Sequence, residues 1–237
     1  MTESVPDPSS ESVPRTPRRY RHVIWDWNGT LLDDVAYSVA IVNGLLARNR
    51  LPVMDLARYR EIFDFPVRAY YARAGFDLSG EGAFERLGRE WMDAYEAQRL
   101  TCHLHLGARE LLADLHARDL TQSILSAYPR VSLEGIVSHF GLARYFVRLL
   151  GLEDIYAHSK LELGRRWLGE LGVPRSQVLL VGDTLHDLDV AQALGIDCVL
   201  VAHGHQSAPR LRRRSRQVYA GFNDLQTVLL PSLSAQG

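Results

Sequence analysis

The chain has 237 residues, enough for one domain of ordinary size plus a smaller insertion. Its 27 Lys and Arg against 28 Asp and Glu leave a net charge of −1, which argues against a dedicated binder of nucleic acid or other polyanions. Its two cysteines, Cys102 and Cys198, exclude a disulfide framework or zinc site, and with no apolar run of about 18 residues the expectation is a cytoplasmic protein with no membrane contact, monomer or homodimer.

Residues 1–20 are rich in Ser, Pro, Glu and Arg without an apolar stretch, and predict a disordered tail. Val23-Ile24-Trp25 follows as a first strand and ends on Asp26-Trp27-Asn28-Gly29-Thr30. A carboxylate at the edge of a core is costly unless a cation, amides or a substrate compensate it. From 35 to 100 the strand signal vanishes, and three- and four-residue apolar spacing predicts helices over 35–48, 56–63, 66–74 and 83–98. Strand and helix then alternate: helix 107–118, strand 121–126, helix 130–140, strand 145–149, helix 160–171, strand 178–182, helix 187–194, strand 198–202, strand 218–219 and helix 223–230. The fold expected is α/β, a Rossmann-like parallel sheet covered on both faces, built from 21–34 and 101–232 with an all-helical cap inserted at 35–100.

Several apolar runs deliver a polar residue at their C-terminal ends: Val23-Ile24-Trp25 delivers Asp26, Gln122-Ser123-Ile124-Leu125 delivers Ser126, and Val178-Leu179-Leu180-Val181 delivers Gly182-Asp183 with Asp187 after it. Between them Lys160, the one lysine of the chain, opens an amphipathic segment. Parallel α/β sheets bind ligands outside the carboxyl ends of their strands. A nucleophile, a hydroxyl, an ammonium and a carboxylate pair are therefore expected to converge there.

This ordered set resembles the haloacid dehalogenase superfamily of aspartate-nucleophile phosphohydrolases, most of all its phosphoglycolate phosphatase-like branch with a helical cap. The resemblance implies that Asp26 attacks phosphorus and forms an aspartyl-phosphate. It implies Mg²⁺ on the Asp26 carboxylate, the Asn28 main-chain carbonyl and the Asp183 carboxylate, with Asp187 acting through water. Lys160 would pair with Asp26 and the phosphate, and Ser126 would bind a phosphate oxygen with the amides of Trp27 and Ala127. Residues 31–34 would form the flap and hinge of the cap, leaving Asp33 and Asp34 as hinge or capping residues. The expected partner is a small phosphorylated metabolite, and Arg68 of the cap is placed to meet a second anionic group. Gly29 is expected at positive φ, with Thr30 stiffening the turn. Tyr70 and Tyr71 are expected between cap helices, and 210–216 as a solvated Arg-rich face.

One position departs from the pattern. Asn28 stands where the family has an aspartate that protonates the leaving oxygen, and an amide cannot exchange that proton. Three explanations remain open: a substrate with a good leaving group such as an acyl phosphate or pyrophosphate, proton transfer by a metal-bound water or by another residue such as His186, His203 or His205, or binding of phosphate with vestigial turnover in a regulatory domain. A mutase or phosphotransferase is a further alternative.

Overall fold

A computed structural model describes residues 20–152 and 160–229; of the expected tail over 1–20 only Tyr20 is described, and it packs against the sheet's core, while 1–19, 153–159 and the chain beyond 229 lie outside the described residues. The first strand, β1 (His22–Trp25), sends Val23 and Trp25 to one face of a sheet and Ile24 to the other, all fully buried. Side chains alternate along a strand, so burial on both faces demands an unbroken apolar run. After β1 come β2 (Leu32–Asp33), then four helices, α1 (Val35–Arg48), α2 (Leu56–Ile62), α3 (Val67–Ala74) and α4 (Ala83–Gln98), and then β3 (His103–Leu104). The alternating part follows: α5 (Ala108–Ala117), β4 (Thr121–Pro129), α6 (Arg130–His139), β5 (Arg148–Leu152), α7 (Lys160–Leu171), β6 (Val178–Gly182), α8 (Leu185–Leu194), β7 (Asp197–Val201), α9 (Ala208–Arg212), β8 (Val218–Tyr219) and α10 (Phe222–Leu229).

Six strands form one parallel sheet in the order β5-β4-β1-β6-β7-β8. Strand β1 lies in its interior, with Trp25 opposite Ile124 of β4 and Val181 of β6. That register brings Asp26, Ser126 and Asp183 out at one sheet edge. On one face Leu111, Leu112, Leu133, Ile136 and Leu225 close over Val23 and Trp25; on the other Leu163, Trp167, Val190 and Leu194 close over Ile24. The helices α1 to α4 hold a separate apolar cluster of Val42, Leu45, Leu46, Tyr59, Tyr70, Tyr71 and Leu87. Among the described residues no helix is long and apolar enough to cross a membrane.

Where elements differ from expectation the cause is local. Strand β4 runs on to Pro129, and β5 starts at Arg148 because 143–145 turn in a 3₁₀ helix. Helix α8 starts at Leu185, two residues early, since Thr184 caps it in a reciprocal box with Asp187. The short strands β2 and β3 pair antiparallel, Leu32 with Leu104 and Asp33 with His103, and join the helical insertion to the sheet domain.

Candidate active site

Asp26 leaves β1 with its amide still bonded to the Val181 carbonyl at 2.9 Å, so its position is fixed by the sheet. The chain then turns sharply: the amides of Thr30, Leu31 and Leu32 converge on the Trp27 carbonyl, and Gly29 donates to the Leu32 carbonyl. None of these bonds uses the Asn28 carbonyl. Trp27 buries its ring completely near Phe140 while its amide donates to Asp26. The Thr30 hydroxyl lies 3.2 Å from Asp26 Oδ2 and 3.0 Å from Asp183 Oδ1.

Lys160, at the first residue of α7, is buried and donates to Asp26 Oδ1 at 2.5 Å and to Asp187 Oδ1 at 2.6 Å. The other Asp187 oxygen accepts from the Thr184 amide and hydroxyl. Asp183 is fully buried, its Oδ2 accepting from the His205 amide at 2.6 Å. Two glycines admit this approach. A Cβ on Gly29, which sits at φ +73°, would lie 2.4 Å from the His205 ring, and one on Gly204 would lie 2.1 Å from Asp183 Oδ2.

Acceptor oxygens of Asp26, Asp183 and Asp187 lie within 4.8 Å of one another. Burial pushes the Asp26 carboxyl up to about 6 against the pull of Lys160, and pushes Asp183 up to about 7 against that of His205. Burial also opposes Asp187, but Lys160 and Thr184 outweigh it and hold its carboxyl below the ordinary range. Lys160 itself is raised: desolvation works against its charge, and Asp187 and Asp26 more than offset it. Lys160 thus bridges two of three buried carboxylates, and together the three offer the oxygen donor set that a divalent cation would satisfy.

The structure also shows where the other expected residues stand. Ser126 is buried late in β4, its Oγ accepting from the Tyr128 amide, and the half-buried Ala127 follows it. Arg68 does not approach the carboxylates: its guanidinium lies 3.4 Å from Glu85 and over the Phe84 ring, both within the cap. His186 stacks on Phe65 of the cap, and His203 stacks on His105 while donating to the Thr30 carbonyl. His205 is the histidine drawn into the centre. Its Nε2 is 3.3 Å from Asp34 Oδ1 and its Nδ1 shares a hydrogen bond with the Tyr59 hydroxyl of α2. Burial opposes its charge, but Asp34 and Asp183 raise it to about 9.

Sequence reading passed over several members of this network. Asp34, expected at the hinge, accepts from the Gly29 amide, the Asn28 amide group and the Tyr95 hydroxyl of α4. Arg210, expected on a solvated face, is buried: it donates to the carbonyls of Glu61 and Phe63 and pairs with Asp64 at 2.8 Å. Arg60 reciprocates from the cap, donating to the carbonyls of His203 and Gly204. Gln206 links Phe63 of the cap to the Leu185 amide at the start of α8. The His203-Gly204-His205 run after a strand was the available signal; nothing local marked Tyr59 or Tyr95.

A strand-end carboxylate bridged to an ammonium, with two more carboxylates at the carboxyl edge of a parallel sheet beneath a helical insertion, defines a class of α/β hydrolases. Residues 23–201 match the family described as haloacid dehalogenase-like hydrolase, and the chain belongs to that family. It is 30% identical over 191 residues to an N-acetylmuramic acid 6-phosphate phosphatase of Pseudomonas aeruginosa, covering 79% of this chain and 84% of that one. It is 27% identical over 195 residues to a phosphoglycolate phosphatase of Pseudomonas fluorescens, covering 78% and 70%. Its fold matches the crystal structure of a predicted phosphatase from Clostridium acetobutylicum with a TM-score of 0.77 at 22% identity, covering 90% of this chain and 99% of that one.

Proposed function

We propose that the protein is a Mg²⁺-dependent phosphatase of a small phosphorylated metabolite, working through an aspartyl-phosphate on Asp26. The observation that carries this reading is the bridge of Lys160 between Asp26 and Asp187, with Asp183 beside them. An ammonium so placed orients the nucleophile and neutralises charge as a phosphoryl group moves. Asp26, Asp183 and the Asn28 carbonyl would hold Mg²⁺, with Asp187 reaching it through water; when bound, it would neutralise phosphate charge ahead of attack. The Ser126 hydroxyl and the Ala127 amide would supply donors to the phosphate oxygens, beside the Trp27 amide that holds Asp26. The names of the relatives, which specify phosphorylated glycolate and N-acetylmuramic acid, support a small phosphorylated substrate.

Substrate choice falls to the cap segment 63–66, which lies against the sheet domain. Phe65 stacks on His186 at 4.6 Å and Phe63 faces His205 at 4.8 Å between ring centroids, an aromatic wall. Screening phosphate esters and anhydrides with Mg²⁺ tests the reading: phosphate release that stops with EDTA or with Asp26→Asn is expected. A screen with no release, despite measurable phosphate binding, favours a regulatory phosphate-binding domain. The observation behind that second reading is Asn28.

A further inference from the structure

Asn28 is not merely an aspartate without its charge; the structure fixes which way its amide faces. Its Nδ2 donates to Asp34 Oδ2 at 2.8 Å and to the Tyr95 hydroxyl at 2.7 Å. Tyr95 gives its own proton to the same Asp34 oxygen at 2.6 Å, so toward Asn28 the hydroxyl can only accept. Turning the amide over would set its oxygen against a carboxylate and a lone pair. Asp34 is buried and takes the Gly29 amide at 2.8 Å as well, with His205 beside it. Both N–H groups of Asn28 are therefore spent, and its remaining polar side-chain atom is an oxygen that accepts and never donates.

Several neighbouring donors are committed elsewhere. Lys160 bridges two carboxylates, and both ring nitrogens of His205 are engaged. His105 and His203 spend Nε2 on the carbonyls of Gly29 and Thr30. Position 28 therefore offers an alkoxide leaving from an alkyl phosphate an acceptor and no proton.

We infer that the site is matched to phosphoric anhydrides, the acyl phosphates above all, whose leaving oxygen departs as a stable anion, rather than to alkyl phosphate esters. The inference rests on the proposed role of Asp26 as nucleophile. In the first step an Asp26 oxygen bonds to phosphorus, the bond from phosphorus to the acyl oxygen breaks, and the electron pair leaves on a carboxylate that needs no proton. In the second a water oxygen attacks phosphorus, the bond to Asp26 breaks to restore its carboxylate, and the proton of the water passes to bulk solvent. Without a base at position 28 the second step is the slower one for such donors. The aspartyl-phosphate therefore accumulates.

The test compares, on the full chain with Mg²⁺, acetyl phosphate, a series of aryl phosphates of graded leaving-group acidity, and phosphoglycolate, with Asp26→Asn as the blank. The expected result is a kcat/KM for acetyl phosphate about 10²-fold or more above that for phosphoglycolate, a steep fall along the aryl series, and a burst of first product near one per active site. The double exchange Asn28→Asp with Asp34→Asn keeps an amide–carboxylate pair but moves the carboxyl to the leaving-group side. It should raise the alkyl ester rate by about tenfold or more and flatten the series. The wild-type series stands without the variant, should the exchange fail to fold. Alkyl and acyl donors turned over within about threefold of each other overturn this inference and leave the phosphatase reading standing. Release from no donor at all overturns that reading, and this inference with it.

Discussion

At Asp26 the chemistry turns on keeping a buried carboxylate ionised and aimed. Lys160 does both, and no other ammonium exists in the chain to replace it. Replacing Asp26 by Asn should abolish Mg²⁺-dependent phosphate release while the melting temperature stays near that of the parent, because Lys160 keeps Asp187 as a partner. A variant that keeps most of the parent's turnover would remove Asp26 from its role. Lys160→Met should do more damage, since it strands carboxylates in a buried site; a loss of about 3–5 kcal/mol is expected by denaturant unfolding without metal, partly restored by Mg²⁺. Residues carried by strand ends, Asp26, Ser126 and Asp183, stood out in the sequence because an apolar run that stops on a polar residue is a local signal. The partners of Asn28 were not visible in this way. Tyr95 meets Asp34 across 61 residues and Tyr59 meets His205 across 146, and no spacing rule spans such distances.

At the level of elements, the helical insertion is tied to the sheet domain by its second helix. Arg210 of α9 holds the carbonyls that end α2, and Arg60 of α2 holds those of the loop after β7. Removing a buried donor leaves its acceptors desolvated and unmatched. Arg210→Ala should therefore cost about 1–3 kcal/mol, speed amide exchange in α2 and proteolysis near 63–66, and raise KM more than it lowers kcat. Arg214→Ala is the contrast: that side chain is exposed and pairs with Asp189, and its loss should change stability by about 0.5 kcal/mol or less. Equal effects for the two would refute the latch. Most helices were legible, α1, α4 and α7 with the boundaries they show, since each carries an apolar stripe over three or more turns. Strands β2 and β3 were not, because two residues cannot display a period. Helix α9 was hidden by its arginines, which read as a solvated face until the fold buries one of them.

For the whole molecule, the charge state of the site should appear as a pH dependence of stability. Asp26 and Asp183 rise from an ordinary 3.8 to about 6 and about 7, and His205 from 6.5 to about 9. A group whose pKa is raised on folding binds its proton more tightly in the native state, so its contribution is lost as pH climbs through the raised value. His22, His105 and His203, lowered by burial from 6.5 to about 4, act oppositely: they charge more readily when unfolded, and stability grows as pH rises toward 6.5. Metal-free protein should thus be most stable near about pH 6.5 and lose stability toward about pH 8.5. Mg²⁺ should raise the melting temperature more at the alkaline end, where Asp26 and Asp183 are ionised. A metal-free melting temperature that rises steadily over that interval would contradict the charge assignment.

The most direct measurement is the site of phosphorylation itself. Protein mixed with Mg²⁺ and acetyl phosphate, quenched in acid within the first turnover and digested, should yield the peptide containing Asp26 with the mass of one added phosphoryl group. The label should vanish with EDTA and in Asp26→Asn. Phosphate released while that peptide stays unmodified, or a phosphoryl group carried on any other residue, would contradict the account.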